Sequence, residues 1–129
     1  MTKEEAIFKI LSESALADHV ENRIYPLVAP YGAEKYPYIV YSQQSRKAPG
    51  TKDGSERTLI LAVSVVSKSY KEAHDIARLA QGVFYTDETT AIEEEIGLRD
   101  FIFESETEAY DLQTNSFLVK SELSYEYSA

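Results

Sequence analysis

Leu59-Ile60-Leu61-Ala62-Val63-Ser64-Val65-Val66 runs through Ser67-Lys68 into Ser69-Tyr70-Lys71-Glu72-Ala73. The first eight residues are aliphatic and β-branched, the make-up of a strand. Leu59, Leu61, Val63 and Val65 mark one face, and Ile60, Ala62, Ser64 and Val66 the other. At Ser69 the period changes. Ala73, Ile76, Ala77, Ala80, Val83 and Phe84 recur at spacings of three and four, which predicts a helix over 70–84. Ser69 and Glu72 have the spacing of a capping box, in which each side chain satisfies the other's backbone N–H. Gly82 costs the helix roughly 1 kcal/mol against Ala, and a close approach to the sheet is the expected reason for it.

Further along, Phe101-Ile102-Phe103 lies in an expected strand over 98–106 that opens after Gly97. The last strand, 117–127, alternates cleanly. Phe117, Val119, Leu123, Tyr125 and Tyr127 face one way, and Lys120, Glu122, Ser124 and Glu126 the other. One buried and one wet face is the pattern of an antiparallel sheet.

Toward the N-terminus the polar stretch 42–57 contains Asp53-Gly54, a pair suited to a tight reversal. It is long for a hairpin connection, which usually needs about 2–5 residues. It is either a long loop or a pair of strand extensions forming an arm. Tyr38-Ile39-Val40-Tyr41 before it reads as a covered strand. The stretch 26–37 holds three of the four prolines, and each proline pushes its predecessor out of helical space, so an ordered loop is expected. Arg23-Ile24-Tyr25 reads as a short extended segment. Thr2 and Glu5 repeat the capping-box spacing ahead of Ala6, Ile7, Ile10 and Leu11, which predicts an amphipathic helix over 3–12. Ser14 opens a second short turn through Ala15-Leu16-Ala17.

The resulting order, α-β-β-β-α-β-β, leaves too little chain for a helical crossover at every step. The expected fold is α+β: a mostly antiparallel sheet of about five strands with two helices packed on one face. A length of 129 residues suits a single domain over 1–129, and 43% hydrophobic residues are enough for one core.

The chain has no cysteine, which excludes a disulfide framework, a thiolate metal site and a cysteine nucleophile together. Its longest apolar run, Leu59 through Val63, falls far short of the roughly 20 residues of a membrane-spanning helix. Met1-Thr2-Lys3-Glu4-Glu5 is acidic where a signal peptide is basic, so neither export nor a membrane anchor is expected. Residues 87–111 hold ten acids and one base, and so carry the whole net charge of −9. DNA binding needs a basic stripe instead, so direct nucleic-acid contact is not expected. The acidic segment is either a solvated face or a docking surface for a basic partner.

Catalytic and metal-binding patterns are absent from the sequence. His19 and His74 belong to no H-x-x-x-H or H-x-E pattern, and no phosphate loop or G-x-S-x-G elbow occurs. Glu93-Glu94-Glu95 does not converge on an ion, because consecutive side chains diverge on a helix or strand, and it reads as a solvated acidic run. Neither a catalytic residue, a metal nor a cofactor is expected. The ten tyrosines stand out, and Tyr25, Tyr31, Tyr36, Tyr38 and Tyr41 fall within 17 residues. Tyrosine is enriched at protein interfaces, and aromatics are also common in β-rich cores.

The short helix, Arg23-Ile24-Tyr25-Pro26, Ala29-Pro30, Pro37-Tyr38-Ile39-Val40-Tyr41, the strand–helix unit at 59–83 and the closing strand form one ordered series. In that order the chain resembles the tail completion, or head-to-tail joining, proteins of long-tailed bacteriophages and prophages, over nearly its whole length. The resemblance implies a non-enzymatic virion protein. Such a protein caps the tail tube or joins it to the head connector as a homo-oligomeric ring, and assembles in the host cytoplasm. A ring subunit offers two different complementary faces. By charge, Arg46, Lys47, Lys52 and Arg57 are expected to meet Glu93, Glu94 and Glu95 of a neighbour. An acidic lumen would also keep DNA from sticking. A head-side adaptor in the same neck and a small-ligand or regulatory α+β module are the alternatives.

Overall fold

The computed structural model describes residues 2–30, 35–46 and 56–128, apart from the side chains of 44–46, 56–57, 87–89, 91 and 128. Helix α1 (Lys3–Glu13) and the short α2 (Leu16–Val20) precede strands β1 (Ile24–Pro26), β2 (Tyr38–Arg46) and β3 (Glu56–Ser67). Helix α3 (Tyr70–Gly82) then runs into a 3-10 turn (Val83–Tyr85), helix α4 (Asp87–Ile96), and strands β4 (Leu98–Asp111) and β5 (Ser116–Ser128). The sheet has five strands in the order β1-β2-β3-β5-β4. Every pair is antiparallel except β1 with β2. The α+β fold is the one read from the sequence, and α4 is an addition to it.

The strand faces follow the alternation. Leu59, Leu61, Val63 and Val65 join Ile39, Tyr41, Val119, Leu123 and Tyr125 in one core cluster. The inner residues of α1 (Ala6, Ile7, Ile10, Leu11) and α3 (Ala73, Ile76, Ala77, Ala80) complete it. The opposite sheet face takes no part in that cluster. It is kept compact by small residues such as Ala62 and Ser124, both buried, and by a Lys120–Glu122 ion pair at 3.6 Å.

Both N-caps form, but each capping box is only half closed. Thr2 accepts from the Glu5 amide at 3.1 Å and Ser69 from the Glu72 amide at 3.3 Å. The carboxylates turn to hydroxyls instead, Glu5 to Thr2 and Glu72 to Ser67 at 2.6 Å. Gly82 does not serve close packing: a Cβ there would meet nothing within 4 Å.

The stretch 42–57 is an arm at its two ends. β2 and β3 stay paired out to Arg46 opposite Thr58. Backbone pairing there continues past the apolar alternation that marks a buried strand.

Candidate functional site

The two halves of the Arg23-Ile24-Tyr25-Pro26 and Pro37-Tyr38-Ile39-Val40-Tyr41 motif meet in space. Ile24, Tyr25 and Pro26 pair in parallel with Ile39, Val40 and Tyr41. Arg23 Nε donates to the Pro37 carbonyl at 3.0 Å, and the Arg23 carbonyl accepts from the Ile39 amide at 2.9 Å. Glu21 completes the clamp, 2.7 Å from the guanidinium. The motif therefore builds the β1 edge of the sheet. Of the clustered tyrosines, Tyr25 and Tyr36 both pack on Tyr38, with ring centroids 6.2 and 5.5 Å from it. Tyr41 is buried against Phe8, and Tyr31 lies outside the described residues.

The acidic segment divides into three parts. Glu94 and Glu95 are exposed on the last turns of α4. Glu93 is not: it is 93% buried, and its Oε1 has no hydrogen-bond partner. Burial, with a smaller push from the Glu94 charge, raises its carboxyl to about 7. The solvated run expected of Glu93-Glu94-Glu95 therefore holds for Glu94 and Glu95 and is corrected for Glu93. On α4, Ile92 and Ile96 pack against the core, and Glu93, three residues before Ile96, shares its side of the helix.

The third part lies on β4, where several exposed carboxylates are held by hydrogen bonds to neighbouring side chains. Glu108 Oε2 accepts from the Tyr70 hydroxyl at 2.8 Å and lies 2.7 Å from His74 Nε2. Those two bonds, Tyr70 first, hold the Glu108 carboxyl below the usual carboxylate range. Gln81 donates to Glu106 at 2.9 Å and to Ser121 at 3.0 Å, while Ser124 donates to Glu104 at 2.7 Å. His74 thus joins α3 to the β4 edge. His19 is exposed on α2.

Of the basic residues singled out by charge, Arg46 and Arg57 have their backbone in β2 and β3, and Lys47 and Lys52 lie outside the described residues. Arg57 is level with Tyr127, which is level with Leu98 at the start of β4. The base of the arm and the end of α4 therefore stand at the same end of the sheet.

Three of the depressions among the described residues bear on these elements. One of about 400 Å³ lies between α1, α3 and α4, lined by Ile10, Ala15, Leu79, Val83 and Ile92 with Lys9, Glu13 and Arg78. A second, about 250 Å³, adjoins Tyr70 and Phe117. The third is an open groove of about 600 Å³ at the β1 edge, lined by Glu4, Glu5, Phe8, Lys9, Pro26 and Tyr41. Among the described residues no group of three or more His, Asp or Glu side chains is arranged to hold a metal ion. No helix among them is long and apolar enough to cross a membrane.

Among solved structures, the chain is similar to a chain of the "Virion of native gene transfer agent (GTA) particle". The match covers 99% of this chain and 96% of that one at 15% identity, with a TM-score of 0.72. The two chains share a fold. No protein-family model and no curated protein sequence matches this chain. Sequence reasoning missed α4, the burial of Glu93 and the Tyr70–His74–Glu108 tie. Only the i, i+4 spacing of Tyr70 and His74 hinted at the last of these.

Proposed function

We propose that this chain is a non-enzymatic structural virion protein of a phage-like particle, acting at the junction of tail and head. In this reading copies form a ring that closes the end of the tail tube and presents a surface to the head connector. The observation that supports it most is the end-to-end likeness to a chain from a gene transfer agent virion. A cyclic ring of identical chains needs two different faces that fit each other, and this fold offers edges of unlike make-up. In this reading Arg46, Lys47, Lys52 and Arg57 of one copy face Glu94 and Glu95 of the next; of these bases, Arg46 and Arg57 have their backbone at the same end of the sheet as the end of α4. Glu93 drops out of this pairing because it is buried.

The test is a deletion of the gene in a phage that carries it, complemented by the native chain or by a double R46E/K47E variant. Heads and tails that remain separate, with tubes of uncontrolled length, are expected in the deletion and in the variant. Normal particles in the deletion would end this reading. Normal particles in the variant alone would remove only the charge pairing.

A further inference from the structure

Among the described residues, several of the large apolar side chains left in water lie at the two edges of the sheet. At the β1 edge Phe8, Leu27 and Val28 are 44%, 72% and 73% exposed, beside the groove formed with Pro26 and Tyr41. At the β4 edge Tyr85, Ile102 and Phe103 are 57%, 55% and 43% exposed. The second patch wraps the bare edge of the strand. Ile102 is level with Ser124 and Phe103 with Leu123, so the two side chains leave opposite faces of β4, and both are exposed. Tyr85 is fixed there by its hydroxyl, which donates to the Phe101 carbonyl at 2.8 Å.

The two patches lie at nearly the same height along the strands. The Leu27 amide donates to the Tyr41 carbonyl at 2.8 Å, so the first patch sits beside Tyr41. Across the ladders, Phe103 is level with Leu123, Leu61 and Gln43. Gln43 is two residues from Tyr41, a distance of about 7 Å. Strand direction fits as well. β4 runs opposite to β2, and therefore opposite to β1. A copy rotated about an axis along the strands thus brings its β1 edge beside β4 in antiparallel sense, the better-paired arrangement.

Like edges do not suit each other. Two β4 edges would bring Glu104, Glu106 and Glu108 against their own kind, which is destabilising. Two β1 edges offer only three residues each, one of them Pro26 without an N–H.

We propose that the two patches are the halves of one head-to-tail contact between copies of this chain: Ile102, Phe103 and Tyr85 of one copy seat against Phe8, Leu27 and Val28 of the next. This deepens the ring reading and rests on it. Burying such patches supplies the apolar centre that a stable contact needs, with the charged arm and α4 at its rim.

The absence of native cysteines makes the contact directly testable. A V28C/F103C double variant of the full chain is oxidised at high concentration beside each single variant, with circular dichroism checking the fold. A ladder of covalent multimers from the double variant, with no covalent product from either single variant, is expected. Two results overturn the contact. One is no ladder although electron microscopy of the double variant shows rings, in which case the ring reading survives. The other is dimers from a single variant, which mean like edges meeting. If no oligomer forms alone or with tail-tube protein, the ring reading itself fails and takes the contact with it.

Discussion

The β1 and β4 edges of this sheet solve the problem of unpaired strand backbone differently. β1 is three residues long, pairs in parallel, and leaves the sheet at Leu27, whose φ is 67°. β4 is fourteen residues long, and beyond Phe101 every residue of it is exposed. One edge is blunted by shortness and proline, the other by bulges and acids; all are recognised protections against indiscriminate pairing. Yet each keeps an apolar patch in water. An edge guarded against its own kind but apolar at one height is suited to a single unlike partner, and that combination distinguishes these edges from a merely solvated rim.

The difference can be broken most severely at Phe101. Its ring stacks between Phe84 and Tyr125, with centroids 4.5 and 4.8 Å away, and it is the last buried side chain of β4. Phe101→Ala should cost about 3–5 kcal/mol in denaturant unfolding. Hydrogen exchange should then rise along β4 and much less along β1.

Glu93 is the next largest effect. Its carboxyl titrates near 7 in the fold against 4.5 in its ordinary state. Between those values the unfolded chain has released the proton while the folded one still holds it, so stability falls as pH rises from about 4.5 to about 7. Glu93→Leu should flatten that limb and raise stability at pH 8 by about 1–3 kcal/mol, the cost of a buried polar group without a partner. A variant with the native pH profile would show that Glu93 is solvated. Gly82→Ala should add about 0.5–1 kcal/mol, because the helical site has open space for a methyl group.

The smallest effect sharpens the β4 side alone. Tyr70→Phe removes the main hydrogen bond that lowers Glu108. The Glu108 carboxyl should therefore titrate higher by NMR. Its contribution is present above the ordinary carboxylate pKa and lost as pH falls through the lowered one, so the variant should be less dependent on pH in the acid range. Amides 106–108 should exchange faster while β1 is unchanged.

What could be read from the sequence follows from what shapes each element. Strand faces and the two main helices are set by apolar period, and Leu59 to Val66 and Ala73 to Phe84 carry it openly. The ends of β2 and β3 and the outer half of β4 are set by backbone pairing, which leaves no period in Ser42–Arg46 or Thr107–Asp111. Helix α4 has a narrow stripe, chiefly Ile92 and Ile96, inside an acidic run that looks solvated until the core beneath it is known. The β4 patch was beyond reach for a related reason. Alternation gives the face of each residue in Phe101-Ile102-Phe103 but not what covers it: Phe101 is buried against Phe84 and Tyr125, while Ile102 and Phe103 are exposed on opposite faces.

Sedimentation velocity on V28E, F103E and their equimolar mixture tests most directly whether unlike edges of identical chains fit each other. Each variant alone should stay monomeric where the native chain associates, and the mixture should reach a dimer and stop, since it has one intact contact per pair. Variants that associate like the native chain, or a mixture that stays monomeric, would contradict the pairing of the two edges.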